Sequence, residues 1–371
     1  MPLTALLPEA NESKGIHGRD EQRMKVLWLT TPLVASFVSG QDAERQLLAC
    51  PLASARLRMG VAASAWREQG NENLFLEPAA IHATGAANGC GASICIVPKF
   101  TIDRPLAPWV AACRTLKDQG ARLVIDICDY PFRQKPDVVD EFYAWVLGVA
   151  DAVVVNSARM AEQIAPHFKK PVAVIADAVL DPIAAPAFSP AKRLKLLWFG
   201  HPSNLRFLEP WISELITSAP RPCRLVVVTQ EGYGVREAVR DIQARYAPAF
   251  EARFVEWSLQ STRRELAACD LALLPGAPGD AKKGGVSANR IAEILNAGRF
   301  PVASPMHSYL EFEDAAWLGN NVIEGIRWAQ AHPAQVLQRI RRGQALVAEH
   351  YTMRKLGAQW CELLRELTIA S

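Results

Sequence analysis

The sequence predicts an α/β protein of two doubly wound, Rossmann-like domains, each built on a parallel sheet, and three observations carry that expectation. The chain has 371 residues, of which 50% are hydrophobic, enough for two cores at roughly 150 residues per domain. Short continuous apolar runs alternate with helix-length segments, which is how a parallel sheet covered on both faces reads. The segment Lys25-Val26-Leu27-Trp28-Leu29-Thr30-Thr31-Pro32 also has a near-copy in Lys195-Leu196-Leu197-Trp198-Phe199-Gly200-His201-Pro202. Two similar domain starts imply two similar domains.

Residues 1–23 are polar and patternless and are expected to form a disordered extension. The first domain is expected over 24–183. Its opening strand at Lys25 is followed by strands expected at Ile94–Val97, Leu123–Ile127, Ala152–Val155 and Val172–Ile175. Helices are expected between them at Pro105–Gln119, Asp137–Val149 and Ser157–Ala165, the first closed by Gly120 and the last by Pro166. The stretch LDPIAAPAFSP at 180–190 has three prolines and no periodicity, so a linker is placed at 184–193. The second domain, 194–349, repeats the rhythm with strands expected at Lys195–Phe199, Leu225–Thr229, Arg253–Glu256, Leu271–Leu274 and Phe300–Ala303. In the tail, 350–371, Leu356, Trp360, Leu363 and Leu364 recur at helical spacing. That stripe is expected to pack back on the first domain.

The formal charge of +3 comes from 41 basic and 38 acidic side chains spread along the chain. No clustered basic face marks a nucleic-acid partner. Eight cysteines are scattered without metal-ligand spacing or a signal peptide ahead of them, which predicts reduced thiols in a cytoplasmic protein. No apolar run reaches the roughly 18 residues of a membrane span, so membrane contact is expected to be peripheral at most.

Doubly wound sheets bind ligands beyond the carboxyl ends of their strands, so the loops after strands matter most. The richest is KKGGVSANRIAEILNAGRFPVA at 282–303. Lys282, Lys283, Gly284 and Gly285 lead to Ser287 as N-cap and to a helix with Ile291, Ile294 and Leu295 on its apolar stripe, ended by Gly298. Free backbone N–H groups, flexible glycines and two cations make an anion site. Gly200-His201-Pro202-Ser203-Asn204 offers a second set of donors, with a helix expected to open at Asn204. Trp257, after another strand, either contacts a ligand, which in the family resembled below is the nucleotide base, or packs between domains. In the first domain, Asp126 is expected to satisfy backbone groups and Asp129 to face the cleft, unless it caps a helix or pairs with Arg133. No Asp-x-Asp triplet occurs, which argues against a diphosphate held through a metal ion.

From about Met24 onward these pieces resemble the bacterial glycosyltransferases of the GT-B fold, particularly the large retaining group (group 1, families 4 and 1). The resemblance rests on Ser39-Gly40 with Ala43-Glu44-Arg45, on Asp129, on ADAVVVNSARMAEQI at 150–164, on CDLALLP before the basic loop, and above all on AEILNAGRFPVAS at 292–304. It implies transfer of a sugar from a nucleotide-sugar donor, held by the second domain, to an unknown acceptor, with no cofactor or metal and with retained configuration. Gly40 then lies in the family's glycine loop. Glu293 matches the second of two family glutamates and takes the donor ribose, where the plain alternative is a solvated carboxylate paired with Arg290. The first glutamate's position is Gly285. Ser287, Asn289 or Arg290 then take over the sugar or phosphate contact, Lys283 with Lys282 neutralises the leaving diphosphate, and Gly200, His201, Ser203 and Asn204 add donors. Asp129 orients or deprotonates the acceptor hydroxyl. An epimerase or phosphorylase of the same fold, and a non-catalytic nucleotide- or partner-binding protein, are the competing readings.

Overall fold

The computed structural model describes residues 23–38, 42–83, 91–132, 136–189, 193–218, 222–280 and 284–369. All but Arg23 of the expected N-terminal extension, together with Gly40, Arg133, Lys282 and Lys283, lies outside these. Two six-stranded parallel sheets organise the chain. The first contains β1 (Lys25–Leu29), β2 (Glu72–Leu76), β3 (Ile94–Val97), β4 (Arg122–Ile127), β5 (Ala152–Val155) and β6 (Val172–Val174), in the order β2-β1-β3-β4-β5-β6. The second contains β7 (Leu194–Phe199), β8 (Cys223–Thr229), β9 (Phe250–Glu256), β10 (Leu271–Leu274), β11 (Phe300–Ala303) and β12 (Trp317–Leu318), in the order β12-β11-β10-β7-β8-β9. Each order reverses once, at β1/β3 and at β7/β10. Those reversals open a crevice beside the carboxyl ends of the strands.

The apolar runs behave as buried strands because both faces of each sheet are covered. Leu27 and Leu29 of β1 enter one core with Cys95, Leu123 and Ile125, while Val26 and Trp28 enter the other with Ile96 and Val154. In the second sheet Leu196 and Trp198 divide from Leu197 and Phe199 in the same way. The two similar starts are therefore equivalent strands in equivalent sheets. β2 escaped the sequence reading because it is an edge strand and carries Glu72 and Asn73. Asn73 Oδ1 accepts the indole N–H of Trp28 at 2.9 Å, so its polarity serves the core it borders.

Two crossings join the halves. Val179 N–H donates to Tyr351 O at 2.8 Å, tying the outgoing chain to the returning one. The segment after Val179 runs along the second half. Asn296 Nδ2 donates to Asp181 O at 2.9 Å, Gln344 Nε2 to Ala184 O at 2.7 Å and Arg299 Nη1 to Ala187 O at 3.3 Å. Gly298, with φ +69°, ends its helix as its sequence position suggests, but a side chain there would also strike Ala185 O at 2.2 Å. The final helix, Met353–Ile369, buries Leu356, Trp360 and Leu364 in the first half, with Trp360 edge-on to Trp28 at 6.4 Å. Among the described residues no helix is long and apolar enough to cross a membrane.

Candidate functional site

A cavity of about 790 Å³ lies between the carboxyl edges of the two sheets. Gly200, His201, Asn204, Trp257, Ser287, Asn289, Arg290 and Glu293 line it from the second half, and Asp129 lines it from the first. Ser203 does not. The cluster forms because β7 and β10 are neighbours at the reversal of strand order, so the loop after each opens into the same space.

The helix Asn289–Asn296 starts one residue later than an N-cap at Ser287 requires. Ala288 occupies the cap position, and its methyl group cannot accept a hydrogen bond. Ser287 Oγ nevertheless accepts the Asn289 N–H at 3.1 Å, and Ile291, Ile294 and Leu295 are buried as their spacing demands. Arg290 does not pair with Glu293. Its Nη1 donates to Phe199 O at 3.4 Å and lies 3.2 Å from where a Cβ on Gly200 would be, so it joins the helix start to the turn after β7. That turn holds a 3-10 helix, Pro202–Phe207, rather than a helix opening at Asn204. His201 is its cap: Nδ1 accepts the Ser203 N–H at 3.3 Å and lies 2.8 Å from Ser203 Oγ. Asn204 keeps a buried Oδ1 without a hydrogen-bond partner among the described residues.

Glu293 is half-buried and sits in a mixed field. Burial pushes its carboxyl up to about 7, Arg56 opposes the rise, and Asp181 and Asp177 reinforce it. Arg56 is held by the carbonyls of Cys50 at 2.7 Å and Pro51 at 3.2 Å, and burial draws its own pKa down against the pull of Glu293. The first half thus presents a cation to the second half's carboxylate.

Asp126 does not satisfy backbone groups. Arg58, 1% exposed at its side chain, donates through Nε to Asp126 Oδ1 at 2.7 Å and Oδ2 at 2.9 Å. Its Nη1 donates to Ile175 O at 2.7 Å and Asp177 Oδ1 at 3.1 Å. Burial disfavours the guanidinium's charge, but Asp126 and Asp177 outweigh it and hold its pKa above the usual range. Asp129 pairs with Lys99, while the following helix, Val138–Val149, is capped by Asp137. Arg56, Arg58 and Asp177 went unremarked in the sequence, although an arginine at 58 inside the apolar run ARLRMGVAASAW already demanded a buried partner.

Gly285 has a physical reason to be glycine. It is buried against the helix Ala158–Ile164, and a Cβ would lie 2.4 Å from Gln163 Oε1 and 2.9 Å from Met160 Cε. Its carbonyl accepts the Ser157 hydroxyl at 3.0 Å. The position that carries a glutamate in the resembled family is here an interdomain contact. Among the described residues, no group of three or more His, Cys, Asp or Glu could hold a metal ion.

Two parallel sheets facing one cleft, the second in doubly wound order, define the GT-B fold, and comparison with solved structures agrees. The chain is similar to HepE from Anabaena, solved with UDP-glucose, at a TM-score of 0.64 and 14% identity over 93% of this chain and 100% of that one. It is likewise similar to AviGT4, a glycosyltransferase involved in avilamycin A biosynthesis, at a TM-score of 0.56 and 13% identity over 94% and 99% of the two chains. TarM matches at a TM-score of 0.57 and 11% identity, over 73% of this chain and 54% of its own. At these identities the likeness establishes the fold alone. No protein-family model matches the sequence, and no curated protein does.

Proposed function

We propose that the protein is a metal-independent glycosyltransferase that moves a sugar from a nucleotide-sugar donor to a hydroxyl-bearing acceptor, with retained configuration. The observation that carries this reading is the single cavity in which Glu293, Arg290 and the Gly200–Asn204 turn of the second half meet Asp129 of the first. Glu293 takes the ribose hydroxyls, a charge-assisted contact worth about 1.5–3 kcal/mol. Arg290, the backbone N–H groups beside it, and Lys282 and Lys283 counter the charge that grows on the leaving diphosphate. Trp257 lines the base, and Asp129, held by Lys99, orients or deprotonates the acceptor hydroxyl. The fold shared with HepE, solved with UDP-glucose, and with AviGT4, a glycosyltransferase, supports the class.

Titration calorimetry with UDP, GDP, ADP and dTDP tests the donor site. Wild-type protein is expected to bind at least one, and Glu293→Ala to weaken that affinity by about tenfold or more. Unchanged affinity in the variant overturns the assignment. A cleft that binds a nucleotide without turnover is favoured by one observation, the packing that leaves Gly285 no room for a side chain. Any turnover of a nucleotide sugar, hydrolysis included, removes that second reading, and the anomer formed decides retention.

A further inference from the structure

We propose that Asn156 is a specificity residue for the donated sugar, its Oδ1 accepting a hydrogen bond from a sugar hydroxyl. The inference rests on the donor-site reading above. Asn156 follows β5, and the β4–β5 register, which pairs Ile127 with Val155, sets it across from Cys128. Its Nδ2 donates to Cys128 O at 2.8 Å. Only the NH₂ end of an amide can meet a carbonyl, so this contact fixes which end is which and commits Oδ1 to the other side. Asn156 is 4% exposed and lines the cavity, yet Oδ1 is buried without a partner among the described residues. A buried amide oxygen left unpaired costs stability, and a ligand that supplies a donor removes that cost.

Two neighbouring contacts indicate which ligand group it meets. Ser157, next in the chain, donates to Gly285 O, so Asn156 stands at the seam where the donor loop of the second half reaches the first sheet. Gln163 and Met160 fill the space that a side chain at residue 285 would need. A side-chain contact to the sugar must therefore come from a residue beside that loop, and Asn156, which lines the cavity with an unpartnered acceptor, is such a residue. An amide oxygen accepts from O–H or N–H and repels a phosphate oxygen, which selects a sugar hydroxyl over the diphosphate.

The test uses the full chain, wild type and the variants Asn156→Ala and Asn156→Asp. Each is titrated, without acceptor, with UDP, GDP, ADP and dTDP and with the corresponding glucose conjugates. Asn156→Ala is expected to weaken the nucleotide sugar about fivefold while leaving the bare diphosphate within about twofold. In Asn156→Asp an oxygen faces the Cys128 carbonyl in place of the Nδ2 donor and the contact that orients the side chain is lost, so this variant is expected to bind the nucleotide sugar no better than Asn156→Ala. Equal weakening of both ligands, no weakening of either, or an Asp variant that binds the nucleotide sugar as tightly as wild type overturns the proposal and leaves the donor site standing. Wild-type protein that binds none of the diphosphates overturns the donor site, and this inference with it. A hydroxyl on the acceptor rather than the donor shows itself as unchanged donor affinity, which also overturns the proposal.

Discussion

On the second half's side of the cavity, the loops after β7 and β10 and the helix that follows β10 bring in lining residues held through backbone groups: Ser287 by an N–H, Arg290 by a carbonyl, His201 by the N–H of Ser203. On the first half's side, Arg58, Asp126 and Asp177 are distant in sequence and hold one another through side chains, with Lys99 and Asp129 paired beside them. The loops of the second half recur wherever a doubly wound sheet meets an anionic ligand, because backbone donors do the holding. The ion-pair network of the first half depends on its side chains and not on the backbone pattern of the sheet. One wall expresses the fold and the other expresses the sequence.

The largest way to break this comparison is to remove Arg58. Arg58→Met leaves Asp126 and Asp177 buried without their cation, and is expected to cost about 3–5 kcal/mol in urea unfolding. Arg58→Met with Asp126→Leu should recover much of that loss, because an apolar pair of similar size replaces a buried charged one. A single variant of wild-type stability would mean that the network does not hold this wall together.

The same contrast explains what the sequence discloses. The strands, most of the helices and the second half's loops are legible because their signals are local: apolar runs, glycines, a periodic stripe. Arg290 and Asn204 lie in stretches marked that way, Glu293 lies in the segment that carries the family resemblance, and all three line the cavity. Asp177 and the partners of Arg58 are illegible because those contacts form only when β4, β6 and the chain after β6 come together. Some finer readings fail for local reasons. Ser287 is displaced from the cap position by one residue, and β2 hides its strand character behind the polar residues of a sheet edge.

A middle-sized effect is expected from pH. The folded-state pKa of Glu293, about 7, lies above the ordinary glutamate value, so the native state binds the extra proton. Its contribution to stability is then complete below the unfolded pKa near 4.5 and is lost as pH rises through about 7. The loss is at most about 3 kcal/mol, less where the cavity admits water. Glu293→Gln removes this component, so the wild-type minus variant stability should decline from pH 5 to pH 8. In the opposite sense, a nucleotide whose ribose needs the ionised carboxylate should bind wild type more tightly as pH rises over the same range. A stability difference flat across pH 5 to 8 would place the Glu293 carboxyl in a wetter setting than its neighbours suggest.

The smallest expected effect comes from restoring a glutamate where the resembled family has one. In Gly285→Glu the new Cβ meets Met160 Cα at 3.3 Å as well as the movable ends of Gln163 and Met160, so the backbone of the helix Ala158–Ile164 must yield in addition to its side chains. Overpacking of this kind costs about 1–3 kcal/mol. Because Ser157 holds Gly285 O at the same place, relief of the clash loosens the contact between the halves. The variant is therefore expected to be less stable in urea and to gain no affinity for any nucleotide sugar. Tighter sugar binding together with undiminished stability would show that the loop can turn its 285 position toward the cavity. It would also make the second half, unaided by Asn156, sufficient to recognise the sugar.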